Sequence, residues 1–253
     1  MTLPEGLEYR PDGPIHAELR IGAEAVVFSI GAAEVTGAPA ELDRELEERL
    51  LGMIAHERGE FAEAERYYRD SLAISEELGN RAGIADTFHQ LGSIAEERKK
   101  YAEAEELYRK SLAISEELGN RASIASSLHQ LGLIAEERKK YAEAEELYRN
   151  SLAIKEELGN RHGIAVTISQ LGILRTKLDQ PAQGVLYNLQ ALTLRLEMGA
   201  SLTTDLYWLI QQRNLLGDDD FERVLRTRLS DSDTEAIMRV THQQTDPPEA
   251  DET

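Results

Sequence analysis

The chain repeats itself every forty residues, and this period constrains its fold more than any other feature. Residues 81–120 and 121–160 differ at only seven of forty positions. The period extends backward, because Leu51-Gly52 stands forty residues before Leu91-Gly92, and it extends forward to Leu171-Gly172. Repeats of this length are single supersecondary units that stack on their neighbours. The sequence therefore predicts an array of at least four stacked units.

Each unit is predicted to contain two amphipathic helices. In the first half of a unit, Ile84, Phe88, Leu91 and Ala95 follow one another at steps of three or four residues, which is the period of one helix face. The second half, from Tyr101 onward, shows the same spacing. A pair of helices cannot bury both apolar stripes alone, so each pair has to stack on the next. The predicted fold class is all-α, with the pairs forming a solenoid.

The connections between units carry specific stop and start signals. A glycine followed by an asparagine ends each of the first units, and glycine readily adopts the left-handed conformation that closes a helix. The asparagine is suited to cap the next helix. Within a unit, Gly92 is expected to face the neighbourhood of Ala104, which would let the two backbones approach closely. The closing glycines are Gly79, Gly119, Gly159 and Gly199, and the capping residues are Asn80, Asn120 and Asn160.

Composition excludes several classes of function. The formal net charge is −19, which argues against nucleic-acid binding and against docking on an anionic membrane. The chain contains no cysteine, so disulfides, thiolate zinc sites and thiol catalysis are excluded. The segment from Met1 to Gly13 has no basic region leading into an apolar run, so we expect no signal peptide, and no apolar stretch is long enough to span a bilayer. We expect a cytoplasmic protein without cofactor or metal.

The recurring Leu-Gly pair, the Tyr-x-x-Ala start of the second helix, the later tyrosine and the following small-Leu pair resemble the tetratricopeptide repeat. The forty-residue period with Gly-Asn-Arg between units is similar to the subgroup found in kinesin light chains, Pins-type adaptors and bacterial signalling proteins. The resemblance implies a right-handed α-solenoid of helix hairpins. One departure is that Lys99-Lys100 and Lys139-Lys140 replace a glycine-containing turn, at a cost of about 1 kcal/mol wherever a lysine must become left-handed.

The resemblance also implies a binding surface, since in this family the first helix of each pair lines a concave groove. The groove is expected to run from acidic, with histidines, in the early units to apolar at Leu133, Val166 and Ile173. A partner peptide or helix with basic and apolar residues would complement it, and self-association is left open. The groove residues carried over by position are Arg49, Met53, His56, Glu57, Asp86, His89, Ser93, Glu96, Glu97, Ser126, His129, Leu133, Glu136, Glu137, Val166, Ser169, Ile173, Thr176 and Lys177.

The groove histidines raise two further hypotheses. His89 and His129 lie on adjacent first helices at a spacing of about 10 Å, which is too far apart for one metal to bridge, and zinc requires three or four ligands. No metal site is therefore predicted. Beside acidic residues, these two histidines would charge near neutral pH and make binding pH-sensitive. Since an open groove offers no closed, preorganised pocket, we predict no catalytic residues and no enzyme.

The ends of the chain are less regular. Residues 1–38 contain a segment from Ile15 to Val27 whose spacing suits either a strand or a helix, and the choice between a hairpin and a cap helix stays open with a preference for the strand. Residues 39–200 form the four repeats. Residues 201–240 are predicted to form a degenerate fifth unit and capping helices, around 202–216 and 219–229. Residues 241–253 are polar, acidic and proline-containing, which is typical of disorder.

The helix after Pro181 departs from the repeat in a way that indicates a cap. Asn188 takes the place of the recurring tyrosine, and charged positions are replaced by Val185, Leu186 and Leu189. These changes predict a surface covered by the C-terminal helices. Two functions follow as hypotheses. The preferred one is a non-catalytic protein-interaction scaffold, and the alternative is a sensor or regulatory array that controls a partner signalling enzyme.

Overall fold

A computed structural model describes residues 16–21, 24–29 and 40–243 of the chain. It has the predicted all-α architecture of stacked helix pairs, preceded by a short β-hairpin. Helices α1 and α2, α3 and α4, α5 and α6, and α7 and α8 are the first and second helices of four repeats. The bounds are α1 Ala40–Glu57, α2 Phe61–Leu78, α3 Arg81–Glu97, α4 Tyr101–Leu118, α5 Arg121–Glu137, α6 Tyr141–Glu157, α7 Arg161–Lys177, α8 Pro181–Met198, α9 Thr203–Leu216, α10 Asp218–Leu225 and α11 Asp231–Gln243.

The N-terminal segment forms an antiparallel hairpin of two strands, β1 His16–Ile21 and β2 Glu24–Ser29. The register pairs His16 with Ser29 and Ile21 with Glu24. The structure thus agrees with the strand interpretation of this region rather than with the cap helix. The other residues of segment 1–38 lie outside the described residues. At the other end, α11 continues to Gln243, three residues into the segment expected to be a tail, and residues 244–253 lie outside the described residues.

A glycine of the first helix and a tyrosine of the second helix set the distance between the helices in each of the first three pairs. A Cβ atom added at Gly92 would lie 2.8 Å from Cε1 of Tyr108, and one added at Gly132 would lie 2.5 Å from Cε1 of Tyr148. Both tyrosines are completely buried. The close approach predicted for Gly92 in the neighbourhood of Ala104 is confirmed, and the contact itself is made by the ring of Tyr108, one helical turn further along.

The connections between helices confirm the sequence signals. Gly79, Gly119, Gly159 and Gly199 all have φ between 65° and 67°, the left-handed conformation expected of closing glycines. Asn80, Asn120 and Asn160 each accept a hydrogen bond from the backbone N–H three residues later. Within the pairs, Lys99 and Lys139 have φ of 57° and 58°, so these two lysines do take the left-handed conformation that a glycine would adopt at lower cost.

The fourth repeat replaces the buried tyrosine by a polar network. Asn188 is fully buried, and its Nδ2 donates to Ser169 Oγ at 3.3 Å and to Asp205 Oδ1 at 3.4 Å. Its Oδ1 accepts a hydrogen bond of 2.7 Å from Nε2 of Gln212. The smaller side chain lets α7 and α8 approach more closely, since a Cβ at Gly184 would lie 2.8 Å from the carbonyl oxygen of Gly172.

The C-terminal helices close the array with an apolar cluster. Val185 and Leu189 of α8 are buried against Leu209 of α9 and against Phe221 and Leu225 of α10. Covering of α8 by the C-terminal helices is thus confirmed for Val185 and Leu189. The fifth unit differs from the others in its second half, which is divided into the eight-residue α10 and the separate α11.

A charged pattern repeats along the outside of the array. Arg98, which follows α3, contacts Glu65 of α2 at 3.1 Å, and Arg138 contacts Glu105 in the same way one repeat later. In the fourth repeat, the contact with Glu145 comes from Arg175, three residues earlier in the repeat. Each of these glutamates also pairs with an arginine four residues further along its own helix. Exposed pairs of this kind add little stability singly, but they recur in phase with the fold.

Candidate functional site

The exposed sides of the first helices form one continuous surface, which we call the first-helix face. Contacts between successive first helices hold it together. Arg49 of α1 donates to Asp86 of α3 at 3.3 Å, and Nε2 of His56 lies 2.7 Å from Oε1 of Glu97. Further along, Nζ of Lys177 on α7 lies 2.7 Å from Oε1 of Glu136 on α5. Side chains of successive first helices therefore contact one another across this face.

The structure places most of the predicted groove residues on this face, with unequal exposure. The exposed ones are Glu57, Asp86, Glu97, Ser126, Glu137 and Lys177. The half-buried ones are Arg49, Met53, His56, His89, Ser93, Glu96, Leu133, Val166 and Thr176. The buried ones are His129, Glu136, Ser169 and Ile173.

The prediction that the four buried residues line an open groove needs correction, because their side chains lie inside the array. His129 is 8% exposed, and its Nδ1 lies 3.3 Å from Oγ1 of Thr167 on the next first helix. Ser169 is 2% exposed and donates to Asp205 at 2.7 Å. Ile173 is 6% exposed, so the apolar end of the face is reduced to Leu133 and Val166.

Glu136 is buried because two groups neutralise and orient it. Its Oε2 accepts a hydrogen bond of 2.8 Å from the hydroxyl of Tyr148, and its Oε1 pairs with Lys177. A buried carboxylate is tolerated when it is paired and hydrogen-bonded in this way. Glu136 therefore holds two repeats together and does not offer a free charge to a partner.

One repeat earlier, the equivalent carboxylate lacks a cation. Glu96 accepts a hydrogen bond of 2.8 Å from the hydroxyl of Tyr108, but the position that Lys177 occupies beside Glu136 is held by Glu137. Burial raises the pKa of Glu96, and the nearby charges of Glu97 and Glu137 raise it further. The middle of the first-helix face therefore has three mutually repelling carboxylates.

A row of glutamines on this face was not foreseen from the sequence. Gln90, Gln130 and Gln170 occupy the same position in three successive first helices and are all half-buried. They lie four residues after Asp86, Ser126 and Val166, on the same helix side. Among the described residues, Oε1 of Gln130 is buried without a hydrogen-bond partner. The recurrence of glutamine at forty-residue intervals is the sequence signal for this row, and neither charge nor apolarity reveals it.

The hypothesis that groove histidines charge near neutral pH is wrong. Burial lowers the pKa of His89. Burial lowers the pKa of His129 to about 3, and the positive charge of Lys155 contributes to the shift. Both imidazoles are therefore neutral at neutral pH, because a charged ring would lose its hydration without gaining a carboxylate partner.

The lowered pKa of His129 should instead make the free energy of unfolding depend on pH in the acid range. The pKa of an unfolded histidine is about 6.5, so above that pH the folded state has its full stability. As the pH falls from 6.5 toward 3, only the unfolded state takes up the proton, and the free energy of unfolding falls by up to about 1.4 kcal/mol per pH unit. We expect His129→Gln to flatten this dependence in urea denaturation between pH 6.5 and 4. His162→Gln, at an exposed position, is the control, and equal slopes in all three proteins would contradict the assignment.

The described residues contain neither a metal-binding cluster nor a membrane-spanning helix. Within residues 16–21, 24–29 and 40–243, no group of three or more histidine, aspartate or glutamate side chains is arranged to hold a metal ion. None of the helices in the same residues has a stretch long and apolar enough to cross a membrane.

Comparison with known families agrees with the geometry. The family model described as "Tetratricopeptide repeat" matches residues 45–117 and 123–197, which is more than half of the chain. The chain belongs to the tetratricopeptide-repeat family. This membership accounts for the helix pairs and the Gly–Tyr contact within the first three pairs of the tetratricopeptide array. No curated protein matches the sequence significantly.

Solved structures similar to the tetratricopeptide array share its fold at low sequence identity. BtubC (BKLC) from P. vanneervenii is 18% identical with a TM-score of 0.62, and the match covers 85% of this chain and 94% of that chain. A putative kinesin light chain from Podosopora anserina is 16% identical with a TM-score of 0.60, covering 82% and 100%. Aspartyl phosphate phosphatase F from Bacillus subtilis is 13% identical with a TM-score of 0.65, covering 81% and 56%.

Proposed function

We propose that the tetratricopeptide array is a non-catalytic scaffold that binds a peptide or helix of a partner protein along a concave groove, the first-helix face. The observation that carries the proposal is the group of carboxylates at Glu96, Glu97 and Glu137. Among the residues that the structure describes, the side chains that contact them do so through hydroxyl and imidazole groups, from Tyr108, His56 and Tyr101. A lysine or arginine from a partner would relieve their mutual repulsion.

The neighbouring residues define the rest of the partner. Leu133 of α5 is half-buried and packs against the cluster that contains Tyr148, so an apolar side chain next to the basic residues would bury its remaining exposed area. Lys177 ends the acidic stretch. A segment with basic residues over the first three repeats and an apolar residue over α5 and α7 has the complementary charge and polarity.

The test reverses charge only at exposed positions. In Glu97→Lys with Glu137→Lys, we expect loss of the partners that the native chain captures from a cell extract, because the added lysines repel a basic segment. Glu136 is left unchanged, since its substitution would break the buried contacts with Tyr148 and Lys177. Bound proteins are identified by quantitative mass spectrometry.

The matched control makes the same change of charge elsewhere. Glu116→Lys with Glu156→Lys alters exposed residues at the ends of the second helices, where no partner is proposed. This control should retain the partners of the native chain. Recovery of identical proteins by all three chains would refute the role of the first-helix face.

A regulatory module that controls a partner signalling enzyme is the alternative function. One observation favours it, namely the likeness in fold to Aspartyl phosphate phosphatase F and to RapI, the latter with a TM-score of 0.64 at 15% identity over 83% of this chain and 66% of that chain. Deletion of residues 1–38 discriminates between the two functions. A scaffold keeps its partner and its partner's activity unchanged, whereas a regulator that couples through this segment keeps the partner and loses control of its activity.

A further inference from the structure

The outer side of α8 has apolar side chains where the earlier second helices have carboxylates. Leu186 stands in the place of Glu106 and Glu146, and Leu196 stands in the place of Glu116 and Glu156. The side chain of Glu106 is 69% exposed, as is usual for a charged residue on a solvated helix side. Leu196 is 66% exposed, although exposure of a large apolar side chain carries no benefit in water.

The next second helix does not cover this side of α8. In the array, Leu107 and Leu147 each pack against two successive core clusters and so join neighbouring repeats. Tyr187 occupies the same position in the fourth repeat but packs against only one of these clusters. Forty residues later, the equivalent position of the fifth repeat is Thr227. Thr227 is exposed, because α10 has already ended at Leu225.

A cavity marks the place of the missing helix. It has a volume of about 610 Å³ and lies between α8 and the segment that joins α10 to α11. Leu186, Tyr187 and Leu229 contribute apolar surface, and Gln190 and Thr193 contribute polar groups. The volume falls in the range of sites that bind a ligand or several side chains.

A cation stands at the cavity without a counterion. Arg228 lines the cavity and is exposed. Among the ion pairs of the described residues, none includes its guanidinium, whereas Arg226, two residues earlier, pairs with both Glu222 and Asp231. An acidic group on the occupant would therefore find an unpaired partner.

The array itself shows what covers such a surface. The second helix α6 lies against α4 through Leu147, which packs in the cluster that includes Leu107 and Leu112. An ion pair accompanies this apolar contact, since Nη2 of Arg109 on α4 lies 3.2 Å from Oε1 of Glu143 on α6. The covering element is thus an amphipathic helix with an acidic residue beside its apolar stripe.

We propose that the outer side of α8, from Leu186 to Leu196 together with Arg228, is a docking site for an amphipathic, acidic helix of a partner protein. The helix takes the place of a second helix of the fifth repeat. Its apolar side chains enter the cavity against Leu186, Tyr187 and Leu229, and one of its carboxylates pairs with Arg228. This site is separate from the first-helix face, because it is built on a second helix.

The experiment uses the chain's own covering helix as the probe. A fluorescent peptide with the sequence of residues 141–158, held helical by a lactam staple, is titrated with the full-length protein, and its anisotropy is measured. We expect saturable binding, weakened tenfold or more by Leu186→Glu and by Arg228→Glu. Leu186→Glu restores the residue type of Glu106 and Glu146, so it leaves the fold intact, which circular dichroism checks.

A variant chain, a scrambled peptide and a small-molecule probe serve as controls for this binding experiment. The Glu97→Lys, Glu137→Lys chain should bind the peptide as well as the native chain, which separates this site from the proposed function. A peptide of scrambled sequence should not bind. Absence of peptide binding, or equal binding by Leu186→Glu, overturns the proposal. Binding of 8-anilinonaphthalene-1-sulfonate at Arg228 without binding of the peptide also overturns it, because the cavity would then accept a small amphipathic anion and not a helix.

Discussion

The Tyr148→Ala protein is expected to be less stable than the native chain by about 4 kcal/mol. The ring of Tyr148 is completely buried in the cluster formed by Ala135, Ala144, Leu171 and Leu174, so its removal leaves a cavity between the third and fourth repeats. The loss also leaves Glu136 without its hydroxyl donor. Urea denaturation followed by circular dichroism measures the difference in the free energy of unfolding.

The control for this substitution is Tyr148→Phe, which keeps the ring and removes only the hydroxyl. The pKa of Tyr148 is raised by burial and by Glu136, so the native hydroxyl is a donor at every relevant pH. Loss of one hydrogen bond to a carboxylate should cost about 1–2 kcal/mol. If the two substitutions had equal effects, the packing of the ring against Gly132 would not be the main contribution of this residue.

The second large effect is expected at Asn188, where the residue that the repeat pattern favours does not fit the structure. Asn188→Tyr restores the residue that the three preceding repeats have at this position, yet it should destabilise the protein by about 3 kcal/mol or more. The new ring would overpack the close approach of α7 and α8 at Gly172 and Gly184. It would also remove the hydrogen bonds that Asn188 makes with Ser169, Asp205 and Gln212, leaving buried polar groups unpaired.

A consensus substitution at an exposed position is the matched control. Asn150→Lys introduces the residue found at Lys110 in the preceding repeat, and Asn150 is exposed. We expect a change of no more than about 0.5 kcal/mol. Thermal unfolding of both variants is compared with that of the native chain. A stabilised Asn188→Tyr protein would contradict the description of the fourth repeat.

The helix pairs and their connections could be predicted because they depend on local signals. The spacing of Ile84, Phe88 and Leu91 determines one helix face, and Gly119 with Asn120 determines a stop and a start. The sequence places Gly92 only in the neighbourhood of Ala104, whereas the structure identifies the ring of Tyr108 as the contact, because the relative shift of two packed helices depends on side-chain volume and not on period.

The exposure of the candidate site was harder to predict, because it depends on the next repeat. Glu96 and Glu136 are equivalent in sequence, yet Glu136 is buried by a lysine forty-one residues later and Glu96 meets a glutamate instead. Likewise, His129 is buried through Thr167 and Lys155, the latter standing where the preceding repeat has Ser115. Position in the repeat identifies the helix side, whereas the neighbouring unit determines whether a side chain there is accessible.

The arginine–glutamate pattern on the outside of the array bears on how such a gene changes over time. Arg98 with Glu65 and Arg138 with Glu105 join one repeat to the previous one by the same contact. A duplication of the forty codons for residues 121–160 would therefore create the same arginine–glutamate contact at the new junction, and both ends of the array would keep their present neighbours. Length can consequently vary by unequal recombination in whole-unit steps, each of which adds a helix to the first-helix face and repeats an existing charged contact.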